Sequence, residues 1–224
     1  MLISLRGTQS PVKRQYERPT CVAFAVTALH EHAFDVLKYS KKTAEIDLSE
    51  EFLHYHCKKY DGLGPNSKGT KVAAASSSLA VHGPPLERHC PDRSSLSESG
   101  TSPPTPNAYA DGKTRLLRGL RRLDQSLATI QNSLNLGRPL VAVLDGYSNA
   151  YITPSGRVAM PGQGDRLLGR HAVLIVELDE KQPVHLSVVT FKNSWGPKWG
   201  DNGFGYFGLD YFDAYGRELW GIVS

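Results

Sequence analysis

The chain has 224 residues, 40% apolar and 21% charged, with a net charge of +4. That is an ordinary globular composition, sufficient for one large domain or two small lobes. The longest apolar stretches, 140–144 and 172–176, are far too short to span a bilayer, and no run of five like charges marks a nucleic-acid arm or a polybasic membrane patch.

The start of the chain lacks the charged segment and apolar core of a secretory signal. A cytoplasmic location is therefore expected for the chain as given, the alternatives being delivery as a secreted effector or loss of a leader. Pro19 and Thr20 precede a first helix that begins at Cys21. Thr20 is its expected N-cap, and Val22, Ala25, Ala28, Leu29, Ala33 and Val36 recur at helical spacing. A second helix opens at Ser49, with Glu50 and Glu51 complementing the dipole, and runs through Phe52, Leu53 and Tyr55. After a loop at 61–69, Thr70 is expected to cap an Ala-rich third helix ending near Gly83. Residues 91–112 are rich in Ser, Thr, Pro, Gly and Asn and read as a surface loop or crossing segment. Asp124 is the expected cap of one more helix, with Leu127, Ile130 and Leu134 on one face and Gly137 and Pro139 ending it. The period then changes to two, and strands are expected at 140–145, 172–178, 187–192, 204–207 and 219–223. Helices first and strands second imply an α+β chain with segregated lobes.

Three cysteines, Cys21, Cys57 and Cys90, are too few for a disulfide scaffold, and the odd count leaves at least one thiol unbridged. Cys57 and Cys90 read as two semi-buried thiols, or as a pair in an oxidising compartment. His54, His56, Cys57, His89 and Cys90 suggest zinc, but their spacings fit no common pattern, and the adjacent His56 and Cys57 point apart on a helix. No metal and no organic cofactor is expected.

Cys21 stands at the first turn of a helix, where a thiolate is favoured by unpaired N–H groups and the dipole. Six residues upstream, Gln15 offers a side-chain amide that can join the Cys21 N–H as a two-donor oxyanion hole. A thiolate nucleophile also needs an imidazole for the proton and a third group to fix the ring. His171 opens one apolar strand and Asn193 follows another, so neighbouring strands can bring them together. Ordinary packing also accounts for a lone cysteine on a helix, and a loop position for Gln15.

Residues 11–29, Leu48-Ser49-Glu50-Glu51-Phe52-Leu53, Gly137-Arg138-Pro139, His171-Ala172-Val173 and the block from Asn193-Ser194-Trp195-Gly196 through Trp199-Gly200-Asp201 to Tyr206 fall in an order that resembles the papain-like cysteine peptidases, especially compact bacterial members. Residues 91–112 and 146–168 are left as weakly anchored insertions. The resemblance implies a papain-like two-lobed fold, with a helical lobe packed against an antiparallel β-barrel-like lobe and a cleft between them. It implies a single catalytic domain over 1–224, with 16–111 mainly helical and 112–224 mainly β, the N-terminal segment crossing to the latter. It further implies Cys21 as nucleophile, His171 as base and then acid, Asn193 orienting the imidazole and Gln15 donating to the oxyanion. Trp195 would cover the Asn193–His171 bond, Trp199 would line the leaving-group side, and Gly69 would pair with substrate as a strand does, although a glycine at a helix entry explains Gly69 equally well.

The pattern also departs from the family. Val22 replaces an aromatic residue, Arg18 replaces a disulfide-forming cysteine, and Pro19 stands at a usual glycine position, narrowing the first substrate pocket. Arg170, before the histidine, is expected to disfavour imidazolium, and Arg18 with Arg170 to favour acidic substrates. With Met1 near the expected mature start, a protein inhibitor or regulatory partner is expected in place of a propeptide. The expected activity is hydrolysis of protein or peptide substrates, as an endopeptidase or exopeptidase, through an acyl-enzyme. A catalytically idle binding module and a thioester-forming acyltransferase on the same fold are the alternatives.

Overall fold

The computed structural model describes residues 1–64, 66–148 and 155–222. Its elements in chain order are β1 (Leu2–Ser4), α1 (Cys21–His32), α2 (Glu50–Tyr60), α3 (Val72–Val81), α4 (Pro106–Gly112), β2 (Leu120–Leu123), α5 (Leu127–Asn135), β3 (Leu140–Tyr147), β4 (Arg157–Val158), β5 (Leu167–Asp179), β6 (Val188–Lys192), β7 (Phe204–Gly208), α6 (Leu209–Tyr215) and β8 (Gly216–Ile222). They divide into a helical unit, from Thr8–Pro11, Gln15–Arg121 and Ile222, and a sheet unit, from Met1–Gly7, Val12–Arg14 and Arg122–Gly221.

In the helical unit α1 is buried from Val22 to its end, its largely apolar run to Leu29 followed by buried His30, Glu31 and His32. It starts at Cys21 as its spacing predicts, but Thr20 makes no side-chain cap. Its hydroxyl turns back to the Arg18 carbonyl, 3.4 Å away. α2 is capped as expected, Ser49 Oγ accepting from Phe52 N at 3.0 Å. α3 begins one residue past the expected cap: Lys71 holds the N-cap position, while Thr70 donates to Asp61 Oδ2 at 3.1 Å. The expected loop at 91–112 contains α4, capped by Thr105 and opened by Pro106. Its buried Ala108 packs with Phe52 and Cys90. Seven residues with so few apolar side chains carry no readable period, which hid this helix.

In the sheet unit α5 is capped by Ser126, which accepts from Thr129 N at 3.2 Å, and not by Asp124. Gly137, at φ +70°, ends it in the left-handed conformation that a side chain resists. The strands run in the order β2-β8-β3-β5-β6-β7-β4, with β1 also paired to β5. β3 is antiparallel to β5 and β8, β5 to β1 and β6, and β6 to β7, whereas β4 and β7 are parallel. Leu140, Ala142 and Leu144 of β3 share a core with Val173 and Ile175 of β5, Phe191, Phe207, and Ile130 and Leu134 of α5. Burying each such side chain contributes roughly 1.5–3 kcal/mol. β5 begins at Leu167, five residues ahead of the apolar run, with Leu167 and Leu168 exposed. β1, β2, β4 and α6 were not anticipated, because two to four residues cannot show alternation and α6 follows β7 without a break. Of the strand expected at 219–223, Val223 lies outside the described residues, as do 149–154 of the insertion expected at 146–168.

Candidate active site

Cys21, half-buried, is the first residue of α1, and no acidic side chain occupies that turn to oppose an anion there. Upstream, Gln15 is buried and its Nε2 donates to the Arg18 carbonyl at 2.8 Å. An amide nitrogen carries two N–H groups, so this bond sets the direction of the second. Thr20 N donates to the same carbonyl at 2.8 Å. Pro19 and Gly69 lie side by side: a Cβ added at Gly69 would meet the Pro19 carbonyl at 3.4 Å, and φ there is +68°. Lys58 Nζ holds the Gly69 carbonyl at 3.0 Å.

In the sheet unit, register brings the other residues together. β3 pairs Leu144 with His171, and β5 pairs Leu174 with Lys192 of β6. Beyond the end of that ladder Asn193 N donates to the Gly203 carbonyl at 3.0 Å and Trp195 bridges to Arg14. His171 Nε2 lies 2.8 Å from Asn193 Oδ1, and the Trp195 ring lies over the imidazole, with centroids 5.0 Å apart and planes at 37°. Asn193 Oδ1 also accepts from Ser194 N at 2.8 Å, which identifies it as the oxygen. His171 Nε2 must therefore donate to it, making Nδ1 the basic nitrogen of the neutral ring. Ser194 was not singled out from sequence, and its contribution comes from backbone, which carries no sequence signal. Asn193 Nδ2 is buried with no hydrogen-bond partner among the described residues. Trp199 meets Trp195 edge-on at 5.0 Å and packs 6.1 Å from Phe191. A Cβ on Gly205 would come within 2.7 Å of Trp199 and 2.4 Å of Phe191, so glycine is what leaves room for the indole.

Arg170 is mostly exposed, with Nε 3.4 Å from Asp145 Oδ1. Arg217 Nε donates to the other oxygen of the same buried carboxylate at 2.7 Å, and this hydrogen bond raises the guanidinium pKa above its ordinary value. The carboxylate thus offsets part of the charge expected beside His171. Asp145 was visible in sequence as a lone charge closing an apolar run. Arg18 departs further from expectation. It is 2% exposed, its Nη1 lies 2.5 Å from Glu51 Oε2, and its Nη2 donates to the Gly100 carbonyl at 2.7 Å. A guanidinium so enclosed and so paired cannot receive an acidic substrate, which corrects that expectation for Arg18.

Cys57 and Cys90 are buried and not bridged, and burial pushes both thiols up. His54 and His56 are buried beside Cys57 on α2, and burial lowers them to about 4 and about 3. Among the described residues no group of three or more His, Cys, Asp or Glu side chains could hold a metal ion, and no helix is long and apolar enough to cross a membrane.

The family model described as papain family cysteine protease matches residues 4–214. Peptidase 1 of Euroglyphus maynei is 29% identical over 209 residues, spanning 92% of this chain and 59% of that protein. An uncharacterised peptidase C1-like protein of Acanthamoeba polyphaga mimivirus is 34% identical over 92 residues, 40% of this chain and 28% of the viral protein. The matches thus span less than two thirds of either curated relative. Among solved structures, xylellain, a cysteine protease from Xylella fastidiosa, superposes with a TM-score of 0.84 at 21% identity, covering 100% of this chain and 85% of that one, so the α+β chain has the papain-like fold.

Proposed function

This chain belongs to the papain family of cysteine proteases, and from that premise we propose that it is a single catalytic domain that hydrolyses peptide bonds in proteins or peptides through a Cys21 acyl-enzyme. The observation that carries the reading is the 2.8 Å bond between His171 Nε2 and Asn193 Oδ1 beneath Trp195. It leaves the imidazole oriented, in one tautomer and shielded from competing water, as a proton carrier requires.

Nδ1 of His171 takes the Cys21 proton, and the thiolate forms a carbon–sulfur bond to the peptide carbonyl. The electron pair moved to oxygen is held by Gln15 Nε2–H and the Cys21 N–H. As the intermediate collapses, the carbon–nitrogen bond breaks and His171 gives its proton to the leaving amine. Water, deprotonated by His171, then splits the thioester and returns the thiol. Trp199 lines the leaving-group side, Gly69 and Pro19 shape the pocket for the acyl side, and Arg170 favours an acidic group.

Mapping of an epoxysuccinyl or iodoacetamide adduct by mass spectrometry tests this. Cys21 should be labelled ahead of the two buried thiols, and His171→Ala should abolish the preference. Cys21→Ala should lower peptide hydrolysis by about 10⁴-fold or more. Indiscriminate labelling, or hydrolysis that survives Cys21→Ala, would overturn the proposal. A labelled Cys21 with no hydrolysis would favour an idle binding module, and acyl transfer to added amines in preference to water would favour a transferase.

A further inference from the structure

Arg18 stands where two demands meet. Its carbonyl accepts from Gln15 Nε2 at 2.8 Å and from Thr20 N at 2.8 Å, so it links the expected oxyanion donor to the residue preceding the nucleophile. Its side chain, almost wholly buried, is held from several directions. Nη1 lies 2.5 Å from Glu51 Oε2 and 3.2 Å from the Arg93 carbonyl, and Nη2 lies 2.7 Å from the Gly100 carbonyl and 3.5 Å from Glu51 Oε1. Glu51 is itself fixed in the first turn of α2 and is 1% exposed. Two chain segments, the first turn of α2 and the loop at 93–100, therefore hold one side chain, whose own backbone holds Gln15.

We infer that Arg18, locked by Glu51, is a positioning residue that aims the Gln15 amide at the developing oxyanion. The inference rests on the proposed peptidase reading and adds to it the origin of the donor's direction. The planar fork of arginine matters here, because it binds a carboxylate and backbone carbonyls at once, which a lysine ammonium does not do in one fixed plane. A small shift of a preorganised donor weakens an interaction needed only in the transition state, so the loss falls on kcat more than on KM.

The test uses the full chain and replaces the pair together, as R18M/E51L. Exchanging a buried ion pair for apolar side chains is often neutral for stability, so this variant removes the lock and strands no fully buried charge, Asp92, 3.7 Å from Arg18 Nη1, being partly exposed. Peptide hydrolysis should lose tenfold or more in kcat, toward the roughly 10²-fold loss expected of Gln15→Ala. Adding Gln15→Ala to R18M/E51L should bring the loss to that of Gln15→Ala alone, because both remove one donor. Thiol–disulfide exchange of Cys21 with 2,2′-dipyridyl disulfide forms no oxyanion, so its rate and pH profile should stay within about twofold. If R18M/E51L does not fold, Arg18→Lys is compared in the same way.

Unchanged kcat, losses that multiply with those of Gln15→Ala, or exchange that slows in step with hydrolysis would each overturn the inference. Hydrolysis surviving Cys21→Ala overturns the peptidase reading, and this inference with it. Hydrolysis lost in Cys21→Ala but unaffected by Gln15→Ala overturns the donor role and the inference while leaving the peptidase reading in place.

Discussion

The helical and sheet units are stabilised by different means. In the sheet unit, strands satisfy one another's backbone groups, and an apolar core runs unbroken from Ile130 to Phe212. In the helical unit, long connections between helices have no ladder to join, and buried side chains hold them. Asp35 Oδ2 accepts from Glu45 N and Ile46 N at 2.7 Å each, Glu31 Oε1 accepts from Leu48 N at 2.9 Å, and Lys58 pairs with Asp61 at 3.0 Å. Buried backbone N–H groups must be satisfied somewhere. Where no strand supplies the acceptor, a carboxylate does: in the helical unit buried carboxylates hold backbone N–H groups of the connections, whereas in the sheet unit Asp145 holds the side chains of Arg217 and Arg170.

Acidification should separate the two units most strongly. Burial lowers His30 and His54 to about 4 and His56 to about 3. All three lie in the helical unit. Between about pH 6.5 and pH 4 the unfolded chain binds protons that the folded chain refuses, so stability falls as pH falls through that window. Each imidazole contributes at most about 1.4 kcal/mol per pH unit. The carboxylates lowered by their partners, such as Asp35, Asp61 and Asp111, add their loss only below their ordinary range near 3.8. Urea titrations at pH 7 and pH 5 should show a lower midpoint at pH 5, and His56→Phe should lessen that drop. An equal midpoint at both pH values would remove the contrast between the units.

Single substitutions should then differ in how they can be rescued. Glu51→Ala leaves Arg18 buried with only the more distant Asp92 carboxylate, 3.7 Å away, and should cost up to about 3–5 kcal/mol, most of it recovered by adding Arg18→Met. Phe207→Ala, at a side chain stacked 5.5 Å from Phe191 and 5.9 Å from Phe212, should cost a similar amount, about 3–5 kcal/mol. No one neighbouring substitution should recover that cavity. Denaturant melts of the single and double variants check both. At the small end, Ser49→Ala removes an observed cap together with the bond from Ser49 Oγ to the Cys90 carbonyl and should cost about 1–2 kcal/mol. Thr20→Ala removes no cap, only the long bond from a buried hydroxyl to the Arg18 carbonyl, and should cost less than Ser49→Ala. Equal losses at Ser49 and Thr20 would show that the position matters and the observed bond does not.

The long periodic elements were legible because apolar spacing is a local property. α1, α2 and α5 and the interiors of β3, β5 and β6 announce themselves in sequence. The short elements did not, since β4 exists only through pairing with β7, and α4 through one buried alanine. Caps were read correctly where the side chain reaches its own helix, as Ser49 does, and misread where an acceptor outside the helix won, the Arg18 carbonyl at Thr20 and the Asp61 carboxylate at Thr70. In the candidate site, residue types and their order pointed to His171, Asn193 and Cys21. The roles given to Gly69, Pro19, Trp199 and Arg170 rest on neighbours that spacing does not reveal.

Sequence alone determined the chemistry on offer: a cysteine opening a helix, an imidazole at the head of one strand, an amide after another, and a block of residues specific enough to name a family. Tertiary structure decided which atoms meet. The tautomer of His171 follows from a backbone N–H beside Asn193, and the enclosure of Arg18 follows from a carboxylate and two carbonyls at residues 51, 93 and 100. Hydrogen bonds depend on distance and direction in space, and the pairing of strands and the burial of side chains set both only once the chain has folded.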